Sequence, residues 1–134
     1  MKKLLFLALI SLLLFTGCPF VFPPPGSFKK AKPDLIITHI YINGPVYYVI
    51  QNNGAVDAGP STSKLIVNGV TVAYQSVGPI PKGTIAGTDA FYWTGTCVAG
   101  TIEDTIQVVA DIYYQVDEAN EENNTYTTHG HCEP

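Results

Sequence analysis

The chain has 134 residues, a formal net charge of −4 and a mean hydropathy of +0.18, with 13% charged and 11% aromatic residues. Its basic side chains are all lysines, and two of them, Lys2 and Lys3, fall at the extreme N-terminus, so the remainder is more acidic than the whole. An acidic chain without a guanidinium to fork onto phosphates or base edges is not built for nucleic acid.

Lys2 and Lys3 precede an apolar run from Leu4 to Phe15, broken only by Ser11 and ending in Thr16-Gly17-Cys18. That layout predicts a secretory signal peptide over residues 1–17. The run is shorter than the roughly 20 apolar residues a spanning helix needs. Leu14-Phe15-Thr16-Gly17-Cys18 resembles the lipobox of prokaryotic lipoproteins, with Phe15 where leucine is usual. The resemblance implies lipidation at Cys18 and a membrane-anchored, exported protein; cleavage nearby with Cys18 as a plain thiol is the alternative. Residues 18–33 contain Pro23-Pro24-Pro25 and then Lys29, Lys30 and Lys32, which reads as a stiff tether. These lysines could meet anionic headgroups or simply be solvated.

Residues 34–134 suffice for one domain with one modest core. Short β-branched and aromatic runs recur there between Gly, Pro and Asn clusters, without helical spacing, which predicts an all-β fold. The first strand covers Leu35 to Ile42, with a bulge expected near Thr38-His39 where the inward set changes parity. Val46 to Gln51 follows. Ser63 to Val67 and Val70 to Tyr74 flank Asn68-Gly69, a dipeptide suited to a two-residue hairpin. Thr84 to Thr94, Thr105 to Asp111 and Asn124 to His129 complete about seven strands, which suit an immunoglobulin-like antiparallel β-sandwich, a closed barrel being the alternative. Tyr48, Ile50, Leu65, Val67, Phe91, Trp93, Ile106 and Val108 are its expected core. Cys97 and Cys132 are expected to form a disulfide, since export leads to an oxidising compartment.

The order of these signals resembles the CARDB family, the cell-adhesion-related domain of bacterial and archaeal surface proteins. The matching pieces are Pro33-Asp34-Leu35-Ile36-Ile37, Ile50-Gln51-Asn52-Asn53-Gly54, Leu65-Ile66-Val67-Asn68-Gly69, Phe91-Tyr92-Trp93 and Ile106-Gln107-Val108-Val109-Ala110-Asp111. The most specific is Glu118-Ala119-Asn120-Glu121-Glu122-Asn123-Asn124. The resemblance implies an immunoglobulin-like sandwich at the cell surface, with adhesion or protein contact as its role and no catalytic residues to transfer. The His129-Gly130-His131-Cys132 tail and Cys97 lie outside the family's pattern.

Two sets of side chains could carry chemistry. Asp111, Asp117, Glu118, Glu121 and Glu122, interspersed with Asn120, Asn123 and Asn124, are hard oxygen donors of the kind calcium prefers. The alternative is a solvated acidic loop whose asparagines hold the turn. His129, His131 and Cys132 could take zinc or copper if Cys132 were a thiolate, which a disulfide would prevent. No serine lies in a nucleophile-elbow context and no Cys-His spacing suggests a catalytic pair, so catalysis is not expected. The eight tyrosines offer a binding platform where they face outward. The expected function is therefore non-enzymatic: an adhesion-type module binding a protein or glycan, with a small calcium- or transition-metal-binding protein as the alternative.

Overall fold

A computed structural model describes residues 29–100 and 103–133; the segment expected to be a signal peptide, Cys18 and the proline run lie outside them. Eight strands run in chain order: β1 Leu35–Gly44, β2 Val46–Asn52, β3 Ser61–Val67, β4 Val70–Val77, β5 Ile85–Ala90, β6 Thr96–Val98, β7 Asp104–Val109 and β8 Thr125–Glu133. All pairings are antiparallel, and the strands form one continuous ladder in the order β4-β3-β7-β8-β6-β1-β2-β5. No helix occurs among the described residues.

The ladder has one weak link. The three-residue β6 pairs with only Asn43 and Gly44 of β1 on one side and with His131 to Glu133 of β8 on the other. There the sheet curls over, and the inward faces of β1 and β2 meet those of β3 and β7. Period-two alternation decides which side chains go in. Val46, Tyr48 and Ile50 of β2 alternate with exposed or half-buried residues, as do Leu65 of β3 and Ile106 and Val108 of β7. These residues, with Leu35, Ile37, Ile40, Val77, Ile80 and Phe91, form one core. Each large apolar side chain buried there contributes about 1.5–3 kcal/mol.

Local expectations hold at several points. The pairing of β1 with β2 shifts between Ile37 and His39, so the inward set passes from Leu35 and Ile37 to Ile40. Asn68 and Gly69 both have positive φ, 51° and 81°, as the two-residue turn between β3 and β4 requires. Tyr48 and Phe91 stack at 4.8 Å in the core. Phe91 and Trp93, however, lie beyond the end of β5; Trp93 packs half-buried with its ring against Gly95. The strand count is eight, the addition being β6. Its Cys97 faces Cys132 across the ladder with the sulfurs 2.09 Å apart, the distance of a disulfide.

Candidate functional site

After β7 the chain turns sharply at Asp111, whose φ of 42° is rare for a residue with a side chain. The turn is held because its carboxylate accepts hydrogen bonds from the backbone N–H groups of Gln115 and Val116, both at 2.9 Å. The loop then runs beneath the start of β1. Glu118 accepts hydrogen bonds from the backbone N–H of Leu35 and from the side-chain amide of Asn124, while Glu121 accepts one from Glu118 N–H. Asp111 and Glu118 are buried, at 2% and 3% exposure.

Of the five acidic residues singled out in the sequence, the fold brings three together: one carboxylate oxygen from each of Asp111, Glu118 and Glu121 lies within 4.8 Å of the others. Asp117 points elsewhere, pairing with Lys32 at the surface. Glu122 is outside the trio, and its backbone N–H donates to Asn120. Burial, and then the negative charges of Glu121 and Asp111, push the Glu118 carboxyl up to about 7 despite its two hydrogen-bond donors.

The segment ahead of β1 lies between this loop and the end of β2. On one side Ala55 N–H donates to Lys32 O and Asn53 N–H to Asp34 O; on the other Ala119 N–H donates to Pro33 O and Asn123 to the Asp34 carboxylate. Gly54 is required here, because a Cβ would come within 2.4 Å of the Pro33 backbone. Beneath them sits Asn52, fully buried, donating to Val56 O and Ile80 O and accepting from Asp34 N–H and Gly54 N–H. Sequence reading ended the second strand at Gln51 and missed this role; the place of Asn52 two residues beyond the inward-facing Ile50 was the available signal.

Glu118 has a measurable consequence. A folded-state value near 7 against an unfolded one near 4.5 means that the folded domain binds a proton the unfolded chain has released. Between about pH 4.5 and 7 the metal-free domain therefore loses stability as pH rises, and the dependence ends above 7. At roughly 1.4 kcal/mol per pH unit, discounted for relaxation and water entry, the expected loss is about 2 kcal/mol. Glu118→Gln should remove it, since a glutamine oxygen still accepts from Leu35 and the Asn124 amide can rotate to match. Urea midpoints of both proteins in chelator at pH 4.5 and 7.5 give the difference; equal slopes would refute the assignment.

A second feature lies on the outer face of β1 and β2. Tyr41 and Tyr47 are direct cross-strand partners, both exposed, and His39 packs on Tyr41 with ring centroids 4.3 Å apart. Tyr126 of β8 approaches His39 at 6.4 Å. Ala90 of β5 lies opposite Tyr47, and two residues further on Tyr92 is 92% exposed.

In the middle of the ladder, the histidine tail is part of β8. His131 Nδ1 lies 3.0 Å from Glu103 and 3.6 Å from Asp104, and its Nε2 is 3.5 Å from Glu133. Cys132 is bonded to Cys97, so the thiolate that a zinc or copper site needed is absent from the oxidised protein. Asp104 also accepts from the Asn68 amide and from Cys132 N–H, which, with His131, hold its carboxyl below the usual range.

The family model CARDB matches residues 32–128, nearly all of the described strands and the acidic loop. The chain belongs to the CARDB family. Among solved structures it is similar to a domain, residues 272–376, of a Methanosarcina acetivorans protein provisionally assigned to the cell surface. The two are 28% identical with a TM-score of 0.61, covering 74% of this chain and 91% of that one. A CARDB domain from Pyrococcus furiosus, described as in complex with di-metal ions, is 24% identical with a TM-score of 0.54, covering 72% and 84%. The latter likeness is one of fold. No curated protein matches the chain. For this CARDB domain, the family pieces now have physical reasons: Asn52-Asn53-Gly54 seats the segment ahead of β1, and the acidic motif closes over it from the other side.

Proposed function

We propose that this CARDB domain is a non-enzymatic, adhesion-type interaction module that binds a protein or glycan partner outside the cell. In this reading a lipid on Cys18 holds it at the membrane, and the curled sheet is a variant of the immunoglobulin-like sandwich. The observation that carries the proposal is the aromatic face of β1 and β2, where Tyr41, Tyr47 and His39 are exposed together rather than buried. Tyrosine offers a large contact area with one polar end and few torsions to freeze, which is why it dominates binding surfaces. Family membership and the Methanosarcina neighbour, assigned to the cell surface, support the location.

The test is capture of the full chain, in detergent, on panels of immobilised glycans and of extracellular proteins. Binding to one class is expected, with the double variant Tyr41→Ser, Tyr47→Ser weakening it tenfold or more while leaving the thermal midpoint within a degree or two. These residues lie at the surface, so their loss costs little stability. Absence of binding to either panel, or equal binding by the double variant, would overturn the proposal.

A further inference from the structure

The acidic trio presents a charge problem that its own hydrogen bonds do not solve. Three carboxylates converge, two of them buried, and the backbone N–H groups they accept from carry only partial charge. Among the described residues, no salt bridge reaches the carboxylate of Asp111, Glu118 or Glu121; Lys32 pairs with Asp117 and donates to the Glu118 backbone carbonyl, and Lys64 lines the cleft of Asp111 and Glu121 without an ion pair. Buried charges left in this state are costly, and they are relieved by taking up a proton or by a partner of opposite sign.

A separate observation points to the missing partner. Asn124 is 6% exposed, and its side-chain oxygen, Oδ1, is buried without a hydrogen-bond donor. Its orientation is fixed by chemistry: the amide nitrogen donates to Glu118 at 3.0 Å, which turns the oxygen away from that carboxylate. Asn124 lines the same cleft, of about 210 Å³, as Asp111 and Glu121. The residue that carries this orphaned oxygen is bonded through its nitrogen to one carboxylate of the trio and shares the cleft with the other two. Water would satisfy Oδ1 but leave the charge; a cation answers both.

We propose that Asp111, Glu118, Glu121 and the Oδ1 of Asn124 bind one hard divalent cation of the calcium class. Four oxygens and no nitrogen or sulfur favour calcium over zinc or copper, and a carboxylate oxygen already accepting an N–H retains a lone pair for a metal. The exposed side of the cleft leaves room for water to complete the six to eight ligands calcium takes. Because Glu118 also accepts from Leu35 N–H, and the same loop binds Pro33 and Asp34, the ion would lock the segment ahead of β1 to the acidic loop. This inference is independent of the aromatic face.

The experiment is a terbium titration of the oxidised full chain in detergent, exciting tyrosine. Tyr114 lines the cleft and would sensitise a bound lanthanide, which substitutes for calcium. One terbium per chain is expected, displaced by calcium, with calcium alone raising the thermal midpoint by several degrees at a hundredfold excess over Kd. Glu121→Gln, at an exposed position, should weaken binding thirtyfold or more, and Asn124→Ala about tenfold. Asp117→Asn and Glu122→Gln, which remove the same charge from the same loop, should leave affinity within twofold. Comparable losses in all four variants would mean diffuse attraction to an acidic loop and would overturn the assignment. So would displacement of terbium by zinc but not calcium, or no binding at millimolar calcium by a chain whose melting shows it folded.

Discussion

Asn52→Ala is expected to cost about 3–5 kcal/mol, lowering the thermal midpoint of this domain by some 15 °C or more, although the residue lies at a strand end. Its side chain makes four hydrogen bonds to backbone groups of three separate segments: Asp34, Gly54 and Val56, and Ile80. Alanine removes all of them and leaves buried N–H and C=O groups facing a cavity, each worth about 1–3 kcal/mol when unsatisfied. Water entering the cavity sets the lower end of the range. Asn52→Asp separates the two halves of the role, since it keeps an acceptor for Asp34 and Gly54 but loses both donors and buries a charge; it should be no better than alanine. Chemical denaturation of the three proteins decides the matter, and a cost below about 1 kcal/mol for alanine would mean that the hub is dispensable.

Reducing the Cys97–Cys132 bridge is the second large effect. The cysteines are 35 residues apart, and chain-entropy reasoning gives about 3–4 kcal/mol for closing a loop of that length. Here the bridge also holds the link of the curled sheet, because β6 has only three residues and pairs with strand ends on both sides. Cys97→Ser with Cys132→Ser should therefore melt about 15 °C below the oxidised protein. Amide exchange at Cys97, Val98 and His131 should accelerate before that of β2 and β3. The contrary result is a midpoint within a few degrees of wild type with fast exchange confined to β6, which would make the bridge a local clip rather than a support of the whole fold.

Much of this architecture was legible because it rests on local chemistry. The Asn68-Gly69 turn follows from two positive φ angles, the bulge at Thr38-His39 from a change of parity, and the core from alternation that burial then confirms. β6 was not legible: Thr96-Cys97-Val98 has one buried residue between two exposed ones, with glycines close by on both sides, and becomes a strand only through its partners. For the same reason the His129-Gly130-His131-Cys132 segment read as a tail, whereas pairing with β7 at His129 and Gly130 and with β6 from His131 to Glu133 extends β8 through it. Gly130 is needed there, since a Cβ would come within 2.9 Å of the Val98 carbonyl. At the acidic loop, composition announced the donors but not which would meet. That selection follows from the positive φ at Asp111 and from the loop's return beneath β1, both products of the assembled fold.

The way residues 32–35 are seated has a mechanical side. A pull on the chain ahead of Lys32 does not first reach the sheet. It loads a short ribbon gripped from both flanks, by Asn53 and Ala55 on one and by Asp117, Glu118, Ala119 and Asn123 on the other. Under a pull along the ribbon these bonds, which lie across it, share the load in shear instead of opening one after another. The threshold force for extracting the domain's leading end is therefore set by a handful of loop residues, while β1 and its ladder stay unloaded until that grip yields.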